Sequence, residues 1–194
     1  MATLIKDLYL SLPGVVLGTI SLTLIIINIL WCASVIYTLA ILKLVLKNIS
    51  SQKLLNKLLI KSSVAWISRN NLNLELLKNI RWHVTGLEEL DPDGWYLVLS
   101  NHQTWVDIFV LQKVFNKKIP YLKFFLKKEL IWVPVIGLAW WALDFPFMRR
   151  YSAEFLAKNP HLKGKDMEIT RKACEKFKIM PISIMNFVEG TRFT

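Results

Sequence analysis

From Leu8 to Leu42 the chain runs 35 residues without a charged side chain. A helix needs only about 20 apolar residues to cross a bilayer core, so this run is expected to form a membrane segment. It is too long for a secretory signal peptide, whose apolar core is roughly 7–15 residues, and no small-x-small cleavage site follows it. Bulky Trp31 before Cys32 also argues against a lipoprotein site. Asn28 and the pair Pro13-Gly14 are its only interruptions. One tilted helix, or a bent or paired element dipping into a single leaflet, would both satisfy the pattern.

The charges that follow are one-sided. Lys43, Lys47, Lys53, Lys57, Lys61 and Arg69 occur with no acid between Leu8 and Leu74. By the positive-inside rule the chain after the segment faces the cytoplasm, which makes the cytoplasmic (inner) membrane the expected location. Over the whole chain the net charge is +11 and the pI about 9.7. An anionic partner is implied: phospholipid, a phosphorylated substrate or nucleic acid. Nucleic acid is the weakest of these, because the charge is interleaved with a membrane segment and no recognition motif is present. Cys32 and Cys174 are far apart in a reducing compartment, so no structural disulfide is expected, and no metal-ligand spacing occurs. Cys174, between Lys172 and Lys176, reads as a small apolar helix residue rather than an activated thiol.

Between Ser51 and Lys78, Leu54, Leu55, Leu58, Leu59 and Trp66 recur at helical spacing, with Lys53, Lys57 and Lys61 on a neighbouring face. This predicts an amphipathic helix, lying on anionic lipid or packed on the rest of the protein. Beyond it, β-rich runs at Arg81 to Val84, Trp95 to Ser100, Asp144 to Met148 and Pro181 to Val188 alternate with helical stretches, one of them at about Lys165 to Phe177. The expected organisation is a membrane anchor over 1–47, an interfacial amphipathic helix over 48–79 and an α/β sheet domain over 80–194. Lys113, Lys117, Lys118, Lys123, Lys127 and Lys128 would give that domain a basic surface, most of it solvated.

Asn101-His102-Gln103-Thr104-Trp105-Val106-Asp107 directly follows the second β-rich run. A histidine there lies at the carboxyl edge of a sheet, where α/β proteins bind ligands. If the next residues turn into a helix, Asp107 can reach one imidazole nitrogen and leave the other as general base. With no serine or cysteine partnered to the pair, direct attack by a substrate hydroxyl is favoured over a covalent intermediate. Taken singly, His102 could be a structural residue and Asp107 a carboxylate favoured by the helix dipole. Arg149 and Arg150 end another apolar run, and guanidinium groups bind phosphate through paired hydrogen bonds. Glu189-Gly190-Thr191-Arg192 again follows a strand-like run, with Glu189 expected to hold Arg192 or a loop. His83 and His161 stand outside any such cluster.

The order Asn-His-x-x-x-x-Asp, Phe145-Pro146-Phe147-Met148-Arg149-Arg150 and Glu189-Gly190-Thr191-Arg192 resembles the glycerolipid acyltransferases, especially the lysophosphatidate acyltransferases of the membrane-anchored bacterial branch. Phe125-Leu126-Lys127-Lys128-Glu129-Leu130, followed by Pro134 and Gly137, adds to the likeness, which covers roughly 86–194. It implies a glycerolipid-acyltransferase-like α/β domain with His102 as general base and Asp107 as its partner. It also implies phosphate binding by Arg149, Arg150, Gly190, Thr191 and Arg192, with Lys127 or Lys128 adding to the anion site. Asn101 and Glu189 match motif positions of structural weight. The implied substrates are a lysophospholipid in the membrane and an acyl-CoA or acyl carrier protein thioester, with no metal or other cofactor. The second motif begins at Asp144 where many members have glycine, and Pro146 stands within it, so a remodelling acyltransferase acting on another head group is the neighbouring alternative. A non-catalytic basic membrane protein is the alternative of another class. Members continue well past the third motif, so a chain ending at Thr194 is expected to be truncated, to leave the strand 181–188 at an exposed edge and to be inactive by itself.

Overall fold

The structure is a computed structural model that describes residues 12–77, 80–148, 153–160, 164, 168, 171, 175 and 181–189. Its architecture is mixed α/β: a long N-terminal helical hairpin and a domain built on parallel strands. The chain divides into two compact units. One contains 1–89 with 108–116, and the other 90–107 with 117–194.

In the first unit, α1 (Gly14–Val45) is one unbroken helix, long and apolar enough to cross a membrane. Pro13-Gly14 does not bend it. Proline lacks an N–H, so it is tolerated where the helix begins, and its carbonyl accepts from Leu17 N–H at 3.1 Å. The helix α2 (Ile49–Leu77) follows after three residues and packs along α1. At the turn, Gln52 Nε2 donates to the carbonyls of Lys43 and Leu46, at 2.7 and 2.6 Å, satisfying acceptors that the end of α1 leaves open. Asn48 Oδ1 accepts from Ser51 N–H at 2.8 Å and caps the start of α2.

Asn28, which interrupts the apolar run, faces α2. Its Nδ2 donates to Asn70 Oδ1 at 2.8 Å and to the Trp66 carbonyl at 3.0 Å. Farther along, Asn73 Nδ2 donates to Ser21. Leu55, Leu59 and Ile67 of α2 are buried apolar side chains, and buried Ser63 donates to the Leu59 carbonyl at 3.0 Å. The opposite side of α1 presents Leu22, Ile26, Ile27, Leu30 and Trp31, all exposed; from Gly14 on, the apolar run is a single helix packed on α2, neither bent nor folded back on itself.

In the second unit, β1 (Tyr96–Ser100), β2 (Leu122–Phe124) and β5 (Ser183–Phe187) form a parallel sheet in the order β1–β5–β2. A second parallel pair joins β3 (Leu126–Lys127) to β4 (Phe147–Met148). The helices α3 (Val106–Phe115), α4 (Ile136–Ala142) and α5 (Ala153–Lys158) complete the described elements, with a 3₁₀ turn over Lys128–Trp132. The first two residues of α3 belong to this unit and its remainder to the first. The core gathers on the central strand: Ile182, Ser183 and Met185 are buried with Ile119, Leu122, Phe124 and Phe145. Gly137 is required by packing, because a Cβ there would lie 2.2 Å from the Ile131 carbonyl oxygen.

Several expectations are corrected. Residues Arg81 to Val84 form no strand, since no strand pairs with them among the described residues; Trp82 instead sits beneath the Lys113 ammonium, 5.9 Å from its ring centre. The run from Asp144 to Met148 shortens to β4 because Asp144 has φ 55 and Pro146 has no N–H to give a ladder. The strand expected at an exposed edge, 181–188, is central and paired on both sides, with β1 and β2 flanking it among the described residues. Two lysines of the expected basic surface are engaged: Lys113 pairs with Glu75, and buried Lys123 donates to the Asp144 carbonyl at 3.4 Å. Of the expected helix at 165–177, Glu168, Arg171 and Glu175 are helical and the rest lies outside the described residues.

Candidate active site

The site begins with a strand register. Ser100, the last residue of β1, pairs with Phe187, the last of β5, and Val188 N–H donates to the Ser100 carbonyl at 3.1 Å. Two residues beyond each of these positions stand His102 and Glu189. Glu189 Oε2 accepts the backbone N–H of His102 at 2.7 Å. Glu189 was expected to hold Arg192 or a loop; the loop it holds is the one carrying the histidine.

Beneath the imidazole lies Phe187, with ring centres 3.9 Å apart and planes 15° from parallel. Phe124 of β2 in turn lies 6.2 Å from Phe187. The His102 ring therefore rests on an aromatic floor supplied by the middle of the sheet, and its side chain is 13 % exposed.

On the other side the chain turns into α3. Thr104 Oγ1 accepts from Val106 N–H at 3.1 Å, while Asp107, three residues on, reaches back to the Thr104 N–H at 2.8 Å. Together these bonds cap the start of α3, as in a capping box but with the hydroxyl taking the N–H of Val106. The same oxygen, Asp107 Oδ2, also accepts from Gln103 N–H at 2.7 Å and lies 3.0 Å from His102 Nδ1. The cap of the helix and the partner of the histidine are thus one atom.

The protonation pattern follows. The Thr104 N–H lowers the pKa of Asp107 most; partial burial opposes it, and His102 and the Gln103 N–H lower it further, for a net downward shift. An ionised carboxylate only accepts hydrogen bonds, so Nδ1 must carry the proton and donate. In the neutral ring Nε2 is then left with its lone pair. Such a group can take a proton from a hydroxyl placed against it.

Of the other expected site residues, Asn101 is exposed and its carbonyl accepts from Ser100 Oγ at 2.9 Å. Lys127 and Lys128 are exposed, on β3 and the 3₁₀ turn. Lys127 is in register with Met148, the residue before the arginine pair. Arg149, Arg150, Gly190, Thr191 and Arg192 lie outside the described residues. Among the described residues no group of three or more His, Cys, Asp or Glu side chains could hold a metal ion.

Phe187 is the contributor that the sequence expectations missed. Its aromatic character two residues before Glu189 was visible, but only the β1–β5 register places it under His102. The Thr104-x-x-Asp107 spacing was a readable signal for this cap.

A protein-family profile described as Acyltransferase matches residues 81–194. The human 1-acyl-sn-glycerol-3-phosphate acyltransferase alpha is 26 % identical over 122 residues, covering 62 % of this chain and 38 % of the human protein. The mouse protein of the same name is 25 % identical over 147 residues, which cover 75 % of this chain and 42 % of its own. The chain thus spans about two fifths of the length of these curated relatives. No solved structure matches it.

Proposed function

The chain belongs to the acyltransferase family, and from that premise we propose that it serves as a membrane-bound O-acyltransferase in phospholipid biosynthesis. It moves an acyl chain from acyl-CoA or acyl carrier protein to the free hydroxyl of lysophosphatidate. The observation that carries this reading is the His102 Nδ1 to Asp107 Oδ2 contact at 3.0 Å, beyond the carboxyl end of β1. The names of the relatives, 1-acyl-sn-glycerol-3-phosphate acyltransferases, support the choice of acceptor.

In this mechanism Nε2 of His102 takes the proton of the acceptor hydroxyl as its oxygen attacks the thioester carbonyl. The carbon–sulfur bond breaks, and the leaving thiolate takes up the proton. Asp107 stabilises the transient imidazolium. Arg149, Arg150, Gly190, Thr191, Arg192, Lys127 and Lys128 are assigned to the acceptor phosphate, where guanidinium groups supply paired donors. Glu189 and Asn101 shape the loop. Neither a metal nor another cofactor enters the scheme.

The acceptor is an amphiphile, so the enzyme gains by meeting it at the membrane. We assign 1–47 to the anchor, 48–79 to the amphipathic helix packed on it and 80–194 to the acyltransferase domain. That domain faces the cytoplasm at the inner membrane, as the lysines after Leu42 suggest.

The test is transfer of labelled oleoyl from oleoyl-CoA to lysophosphatidate in membranes carrying the protein from its complete reading frame, beside its His102→Ala form. Transfer lost by about 10²–10⁴-fold in the variant is the expected result. Equal transfer in both forms, or none with any lysophospholipid or thioester, would overturn the proposal.

A further inference from the structure

The hairpin carries a cavity of about 310 Å³ far along the chain from the His102 loop, lined by Trp31, Cys32 and Val35 of α1 and by Leu58, Lys61 and Arg69 of α2. Its walls divide by chemistry. Trp31, Val35 and Leu58 are apolar, whereas Lys61 and Arg69 bring two cations. No acid occurs between Leu8 and Leu74 to neutralise them.

The two cations stand eight residues apart on α2, about 12 Å along the helix axis, so they bracket the cavity from two successive levels. Arg69 Nη1 donates to Asn28 Oδ1 at 3.3 Å. A guanidinium has five N–H donors, so that bond orients the group and leaves other donors for the cavity. Lys61 has no carboxylate partner among the described residues. Cations beside an apolar helix are costly unless an anion meets them. Apolar walls flanked by two cations match an amphiphile with an anionic head.

We propose that this cavity binds one anionic phospholipid, its phosphate held by Lys61 and Arg69 and the upper part of an acyl chain against Trp31, Val35 and Leu58. None of its lining residues belongs to the His102 loop, and its occupant is a resident lipid rather than the acyl acceptor. The inference rests on the membrane placement proposed above. It gives α2 a defined lipid contact in place of a diffuse basic face.

The experiment is native mass spectrometry of the detergent-solubilised protein with phosphatidylglycerol and phosphatidylcholine supplied together. Unaltered protein should retain one phosphatidylglycerol in preference to phosphatidylcholine by about tenfold or more. Lys61→Gln with Arg69→Gln should abolish the preference, and Val35→Trp should lower retention by filling the cavity while keeping both charges. Lys53→Gln with Lys57→Gln removes two cations of the same helix that do not line the cavity and should leave the preference unchanged. No preference in the unaltered protein, equal loss in the Lys53 and Lys57 variant, or full displacement by millimolar inorganic phosphate would each overturn the proposal. Sedimentation with phosphatidylcholine vesicles reports membrane placement independently. Failure there would overturn the membrane reading, whereas sedimentation without lipid preference would overturn this inference alone.

Discussion

The helical hairpin and the His102 loop both join polar groups by hydrogen bonds, but they connect them in opposite ways. In the hairpin, bonds are spread along two helices: Asn28 to Asn70 and Trp66, Asn73 to Ser21, Gln52 to Lys43 and Leu46. Asn70 Nδ2 and Asn73 Oδ1 have no hydrogen-bond partner there among the described residues. In the loop three contacts converge on one oxygen, Asp107 Oδ2. Distributed bonds fix how two helices pack, and losing one leaves the others. Converging bonds fix one side chain, and losing the common atom loses everything that it holds.

The largest effects are therefore expected where bonds converge. Asp107→Asn places an amide where three donors meet and removes the charge that keeps the proton on Nδ1. Acyl transfer should fall by about 10²–10⁴-fold, while replacing a charged by a neutral acceptor at the helix start costs about 0.3–1 kcal/mol of stability. Activity assays with thermal denaturation of the same samples check both. A variant that loses stability but keeps full activity would make Asp107 a helix cap and nothing more.

Glu189→Ala should come next. It leaves the His102 N–H without its acceptor, a charge-assisted bond worth about 1.5–3 kcal/mol, and loosens the loop without removing the base. Activity is expected to drop roughly tenfold, with Glu189→Gln, which can still accept that N–H, close to the unaltered protein. Equal loss in both variants would point to a role for the charge itself.

In the hairpin the expected effect is smaller for each bond. Asn28→Val removes the bonds to Asn70, Trp66 and Arg69, yet interhelical hydrogen bonds in membranes are worth only about 0.6 kcal/mol each on average. A loss of about 2 kcal/mol, read by denaturant titration in detergent, would fit the distributed pattern. Complete unfolding would contradict it.

The gentlest probe is pH. Because the folded protein holds the Asp107 pKa below its ordinary value, chiefly through the Thr104 N–H, its stabilising contribution is fully present above the unfolded-state value. It is lost as pH falls through the lowered one. The melting temperature of the unaltered protein should thus approach that of Asp107→Asn in acid and separate from it toward neutrality. A gap that widens in acid would contradict the direction of the shift.

The same contrast explains what the sequence could disclose. The apolar run, the helical spacing of Leu55 and Leu59 and the five-residue step from His102 to Asp107 are local patterns, and the structure places a helix, a packed face and a 3.0 Å contact on them. Phe187 under the imidazole and Glu189 on the His102 N–H depend on β1 lying beside β5, a pairing between residues 87 positions apart. Local pattern also misled: Arg81 to Val84 alternates like a strand but has no neighbour among the described residues to complete a ladder. Lys123 reads as a surface charge and is buried with its ammonium on the Asp144 carbonyl.

At the centre stands the claim that Asp107 holds His102 as the Nδ1–H tautomer, with Nε2 free to act as base. The ¹⁵N chemical shifts of the His102 ring, recorded on selectively labelled protein at a pH where the ring is neutral, test it most directly. A protonated Nδ1 and an unprotonated Nε2, with the pattern lost in Asp107→Asn, is the predicted result. A proton on Nε2 in the unaltered protein would contradict it.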